Sequence, residues 1–170
     1  MEKRIKEMLA VATVIMVAFG IGFLSLQLGV TTHEGFHTIA ARLMGCETTT
    51  KTAIVSGSTH FSGCFMETNM GAILIALAGP LGAFALATFL WFGFGKNSLL
   101  RVIALFIFAL SVIPSMFPAL FGSDMSFAIA HGFNPIAGWG MFITVLGVIT
   151  FWLMEELMDK KILVGTKIKI

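Results

Sequence analysis

Polar and apolar residues fall along this chain in long blocks, not at the short period of a soluble amphipathic helix. Four blocks, residues 8–30, 70–95, 99–121 and 135–157, are almost wholly apolar. Each is close to the ~20 residues a helix needs to cross a bilayer, so the pattern predicts four transmembrane helices. The first block keeps a helical pattern through "HEGFHTIAARLMG" to about Met44, where Gly45 can stop it. Such a helix overshoots the hydrocarbon, so a tilt or a break near Gly29–Thr32 is expected. A separate short helix over His33–Met44, folded back into the protein, is the alternative. The next stretch, "CETTTKTAIVSGSTHFSGCFMETN", is rich in Thr, Ser and Gly, with a β-branched patch at Thr52–Val55, and suits a hairpin. A second polar break, "FGSDMSFAIAHGFNP", separates the third and fourth blocks. The expected fold is an all-α polytopic membrane protein, one domain over residues 1–170, with a β-hairpin-like loop between its first two helices.

Composition sharpens this picture. The chain is 57% hydrophobic and 12% charged, against about a quarter charged in soluble domains, and its mean hydropathy is +0.94. A soluble hydrolase is excluded, and a net charge of +2 argues against a nucleic-acid partner. The cations gather in "MEKRIK", "GKNSLLR" and "DKKILVGTKIKI". With four spans all three fall on one side, which the positive-inside rule makes the cytoplasm. Both termini are thus expected in the cytoplasm, with the protein in the cell membrane of a prokaryote. The first block is too long for a signal peptide and no small-residue cleavage pattern follows it. Cys46 and Cys64 both lie in the polar loop. Two unpaired thiols are the simpler reading; a disulfide requires the loop to face an oxidising compartment. Neither has the spacing of a structural zinc ligand.

Two histidines and a glutamate at the edge of an apolar block are costly without a purpose. On a helix His33 and His37 share one face, and Glu34 sits about 100° round from His33. That is the HExxH geometry of zinc hydrolases: two nitrogen ligands and a carboxylate that takes a proton from activated water. A catalytic zinc site usually has a third protein ligand. Asp124 is preferred, His131 is the alternative, and His60 reads as a solvated loop side chain. Ala76, Gly79, Gly82 and Ala83 around Pro80 let another helix approach closely.

Three motifs resemble the site-2-protease-like intramembrane zinc metalloproteases: "HEGFHTIAARLMG", "METNMGAILIALAGPLGAFALA" and "FALSVIPSMFPALFGSD". The chain looks like a compact, divergent member over about residues 20–134. The resemblance implies one zinc ion per chain on His33, His37 and Asp124, with Glu34 as catalytic base. It implies hydrolysis of peptide bonds in transmembrane or membrane-associated protein substrates. Ser111 stands where the family has an asparagine that positions substrate, and Met125 replaces a glycine after the aspartate. Thr52, Ala53, Ile54 and Val55 form a candidate strand edge for an extended peptide. The alternative is a catalytically inactive zinc-binding protein of the same fold that binds client helices. A metal transporter ranks last, because the spans hold almost no polar residues outside the cluster.

Overall fold

The computed structural model describes residues 2–53, 57–62, 69–94, 97–120 and 123–166. The first apolar block and the polar segment after it form one uninterrupted helix, α1 (Glu2–Leu43), about 63 Å long at the usual rise. The continuation to about Met44 is as expected; of the tilt or break allowed for it, no break interrupts Gly29–Thr32, and the alternative of a separate His33–Met44 helix is not found. Gly45 ends α1 in the left-handed region at φ 78°. The Gly45 N–H reaches the Arg42 carbonyl at 2.9 Å and the Cys46 N–H the Ala41 carbonyl at 3.0 Å, a Schellman closure. Ala41 and Cys46 pack there with Ile75.

Cys46 is disulfide-bonded, so the simpler reading of an unpaired thiol fails at this position; Cys64 lies outside the described residues. The Thr-rich loop forms the expected hairpin. Strand β1 (Glu47–Thr52) pairs antiparallel with β2 (Gly57–Ser62), with Thr48 opposite Phe61 and Thr50 opposite Thr59. Strand residues alternate faces, and Thr48, Thr50 and Thr59 all turn towards α1. Arg42 Nε donates to the Thr48 hydroxyl at 3.0 Å, and the Thr38 and Thr50 hydroxyls meet at 2.6 Å. A polar stripe on the helix, Glu34–Thr38–Arg42, is thereby covered by a polar hairpin face.

Helix α2 (Asn69–Phe92) lies at the centre of the molecule. Its small residues face α1: a Cβ on Gly82 would lie 2.1 Å from the Phe36 ring, and one on Gly79 2.3 Å from Nε2 of His37. The ALAGPL segment therefore seats the HExxH turn itself. Helix α3 (Ser98–Ile107) starts on the Asn97 side chain, which accepts from the Leu99 and Leu100 N–H groups. It passes through a π turn (Phe108–Val112) into the short α4 (Ile113–Met116). The third helical path thus stops at Met116, short of the expected Phe121, because Phe117 before Pro118 is extended at ψ 110°. The second polar break contains a two-turn helix, α5 (Asp124–Ala130), and α6 (Pro135–Thr166) closes the chain.

Among the described residues, four helices are long and apolar enough to cross a membrane. The core lies between α2, α3, the π turn and α6, where Trp91 stacks on Trp152 at 4.9 Å and Phe108 meets Trp152 edge-on. Arg101, counted above among the turn cations, is buried here. Its guanidinium donates to Glu156 Oε2 at 2.5 Å and lies 5.0 Å from the Trp91 ring.

Candidate metal centre

His33 and His37 sit one turn apart on α1 and are both buried, as is Glu34 between them. Their rings meet edge-on with centroids 4.7 Å apart, and the two Nε2 atoms are 3.0 Å apart. Asp124 comes from α5 to complete a triangle: Oδ2 is 2.9 Å from His33 Nε2 and Oδ1 is 3.4 Å from His37 Nε2. Two atoms bound tetrahedrally to one zinc ion at about 2.0–2.2 Å lie roughly 3.3–3.5 Å from each other. The three donors therefore already stand near the separations a metal imposes, and the group could hold one metal ion.

Local structure explains how each donor is aimed. The His37 Nδ1–H donates to the Ile75 carbonyl at 2.6 Å, which fixes the tautomer and leaves the Nε2 lone pair for the centre. That carbonyl lies beside the turn in which Pro80 has no N–H to offer Ala76. Asp124 is placed by the start of α5: the Ser123 hydroxyl accepts from the Ser126 N–H at 3.1 Å and donates to the Phe117 carbonyl at 2.9 Å. Met125 and Ala128 anchor the same helix in the core. Burial pushes the Asp124 carboxyl up, but when the His33 and His37 imidazoles are protonated their hydrogen bonds and charges outweigh it and hold it down at about 2. The carboxylate is thus ionised, the form a metal needs. The centre is not symmetric: Nδ1 of His33 is buried without a hydrogen-bond partner among the described residues.

Glu34 is held from the other side. The Thr59 hydroxyl donates to its Oε2 at 2.7 Å. A Cβ on Gly57 would lie 2.3 Å from Glu34 Cγ and 2.8 Å from Oε1, so only glycine leaves room for this side chain under the hairpin. Two cavities open on the centre. One, of about 330 Å³, is bounded by Val30, Leu110, Ser111, Pro114 and Leu120; the other, of about 230 Å³, by Phe61, Ile75, Ala76 and Phe127. Both also touch Glu34, Gly57, Ser123 and Asp124, so the glutamate and the aspartate stand where they meet.

The remaining candidates separate. Ser111 is buried in the π turn and lines the larger cavity. His131 is not brought to the centre. It caps the far end of α5, with its Nδ1–H donating to the Phe127 carbonyl at 2.9 Å and its ring against Phe127. His60 is exposed on the outer face of β2, as expected. Thr52 and Ala53 are exposed and line neither cavity, while Ile54 and Val55 lie outside the described residues. The strand residues that border the site are Gly57, Ser58, Thr59 and Phe61 of β2 instead. The β-branched patch lies at and beyond the end of the other strand, at Thr52–Val55. The signal that could have found the β2 residues is the Gly-Ser-Thr run, whose alternation sets Gly57 and Thr59 on one face. No protein-family model, curated protein or solved structure matches the chain.

Proposed function

We propose that this protein is a membrane-embedded zinc metalloprotease of the site-2-protease-like kind, cleaving peptide bonds of transmembrane or membrane-associated substrates. The observation that carries the reading is the convergence of His33, His37 and Asp124 within 4.8 Å, with Glu34 at the junction of two cavities. The same donor set also suits non-haem iron. A glutamate next to the first histidine, held beside the centre with access to a cavity, favours hydrolytic zinc over oxygen chemistry.

The four apolar helices would span the bilayer. A disulfide at Cys46 fits a hairpin on the oxidising side and both termini in the cytoplasm. Zinc bound by His33, His37 and Asp124 would supply Lewis acidity towards the scissile carbonyl and an acidified water. Glu34 would act as the general base and acid, taking a proton from water and delivering it to the leaving amine. Asp124 keeps its charge within the cluster, and the Ile75 carbonyl keeps His37 in the ligating tautomer. Ser111, Ser115 and Ser123 make one wall of the larger cavity polar, which lets water and an extended segment of substrate reach a centre otherwise surrounded by apolar side chains.

A second reading, a zinc-holding protein that binds client helices without cleaving them, draws on Ser111 standing in place of an asparagine. The experiment that separates the two incubates purified, zinc-loaded protein in bilayers with a panel of membrane-helix substrates, beside Glu34→Gln. Cleavage by wild type that falls by about 10²–10⁴-fold in the variant is expected. Equal cleavage by both removes Glu34 as the base. Zinc uptake with no turnover on any substrate favours the second reading.

A further inference from the structure

We propose that Thr59 is a positioning residue for Glu34: its hydroxyl, carried on the hairpin, selects which carboxylate oxygen is tied down and which is left to work as base. The inference rests on the protease reading. It starts from counting protons. An ionised carboxylate only accepts hydrogen bonds and each threonine hydroxyl has one proton to give. Thr38 gives its proton to the Glu34 backbone carbonyl at 2.9 Å, as helical threonines do. The 2.6 Å contact between Thr38 and Thr50 is therefore donated by Thr50. Thr50 then has nothing left for Thr59, 3.4 Å away. Thr59 in turn places its proton on Glu34 Oε2 at 2.7 Å, the shortest of its contacts. Every donor is assigned, and Oε1 of Glu34 receives none of them.

Oε1 is also the oxygen that faces the backbone of Gly57, 2.8 Å from where a Cβ would stand. The carboxylate is thus confined on two sides by β2: a donor on Oε2, and main chain without a side chain beside Oε1. Both positions belong to the face of the strand that covers α1. The hairpin does not need Thr59 to stay docked. Arg42 with Thr48, Thr38 with Thr50, and Phe61 against the Ala41–Cys46–Ile75 cluster hold it independently. Loss of the one hydroxyl therefore leaves the fold and the metal ligands in place and frees the glutamate, and a misplaced general base costs rate.

The test compares Thr59→Val, which keeps the shape and removes the donor, with Thr59→Ser, which keeps the donor. All forms are expected to bind one zinc ion per chain. Thr59→Val should lower kcat by about 10- to 100-fold, with KM changed by less than about 3-fold, and Thr59→Ser should stay within about 3-fold of wild type. In a Glu34→Gln background, Thr59→Val should cost nothing further. Independently of turnover, the infrared carboxylate bands of Glu34, found by difference against Glu34→Gln, should shift in Thr59→Val and not in Thr59→Ser. Unchanged bands in Thr59→Val, or an equal loss of kcat in the valine and serine variants, overturn the inference while wild-type cleavage leaves the protease reading standing. A wild type that cleaves nothing overturns that reading and the kinetic role of Thr59 with it.

Discussion

Gly79→Ala should strip the metal centre while leaving the helix that carries the substitution intact. The new methyl would stand 2.3 Å from Nε2 of His37 and 2.6 and 2.7 Å from the two ring carbons beside it. Ordinary contact is roughly 3.5 Å, so about 1 Å of separation has to be found. Helix α2 cannot readily retreat, because Leu77, Ala87 and Trp91 pack it into the core with Ile107, Phe108 and Trp152. The imidazole must yield. Moving it by about 1 Å stretches the 2.6 Å bond to the Ile75 carbonyl beyond hydrogen-bond range. It also shifts Nε2 several times further than the roughly 0.2 Å a zinc–ligand distance tolerates. Loss of an orienting partner alone costs 10- to 100-fold in metal affinity, so the dissociation constant should rise by at least about 100-fold, roughly 2.7 kcal/mol. Helix propensity moves the other way, by about 1 kcal/mol in favour of alanine, so weakened helix formation cannot explain the loss. The assay is zinc competition against a chelator of known affinity, with circular dichroism alongside. Gly140→Ala is the control, since a Cβ there meets nothing within 4 Å. If Gly79→Ala binds zinc within about 3-fold of wild type, the close packing described here for α1 on α2 is wrong.

Four further outcomes are expected. Asp124→Ala should lose stoichiometric zinc, whereas His131→Ala should keep it, because His131 bonds only at the far end of α5; elemental analysis of the purified variants decides. Gly57→Ala should retain zinc and lose at least about 10-fold in kcat by pushing Glu34 out of its slot; unchanged turnover would contradict that slot. Arg101→Leu should destabilise the protein by about 3–5 kcal/mol, since it removes the guanidinium that binds Glu156 and covers Trp91; unfolding in mixed micelles measures it, and a shift below about 1 kcal/mol would make the pair a surface contact. Cys46 should resist maleimide in the denatured, unreduced protein and react after reduction; mass spectrometry reads the difference.

Much of the site was legible because its chemistry is written in local spacing. His33 and His37 had to share a helical face whatever the fold, and one of only two aspartates closed an apolar block. The hairpin followed from threonines and glycines between such blocks. What escaped was set by contacts distant in sequence. A tilt or a break in α1 is expected from its length, which overshoots the hydrocarbon, and Thr31 to Arg42 put polar groups on the overshooting part. The break is absent because the Thr48–Thr50–Thr59 face satisfies that stripe, and no spacing within α1 announces it. Arg101 reads as a turn cation until Glu156, 55 residues later, is seen to bond it. Pro118 did carry the signal for the early end of the third helical path, through its hold on Phe117; the apolar run on either side of it masked the stop.

The same contacts explain why the candidate metal ligands and the hairpin belong to one design. Residues 4–20 of α1 are exposed on every side and, from Met8 on, apolar except for Thr13, whose hydroxyl donates to the Leu9 carbonyl, a surface suited to lipid. From Ser25 onward α1 enters the molecule, and its polar residues divide by face. His33 and His37 turn to α2 and α5, where a carbonyl and a carboxylate receive them. Thr38 and Arg42 turn to the hairpin, where hydroxyls receive them. Glu34 lies between the two faces and is the residue both sets of partners converge on. Its position beside the His33–His37–Asp124 group is a consequence of the histidine spacing, but its orientation is a consequence of the hairpin. A helix alone could bring Glu34 near the histidines; it takes the strand to aim it.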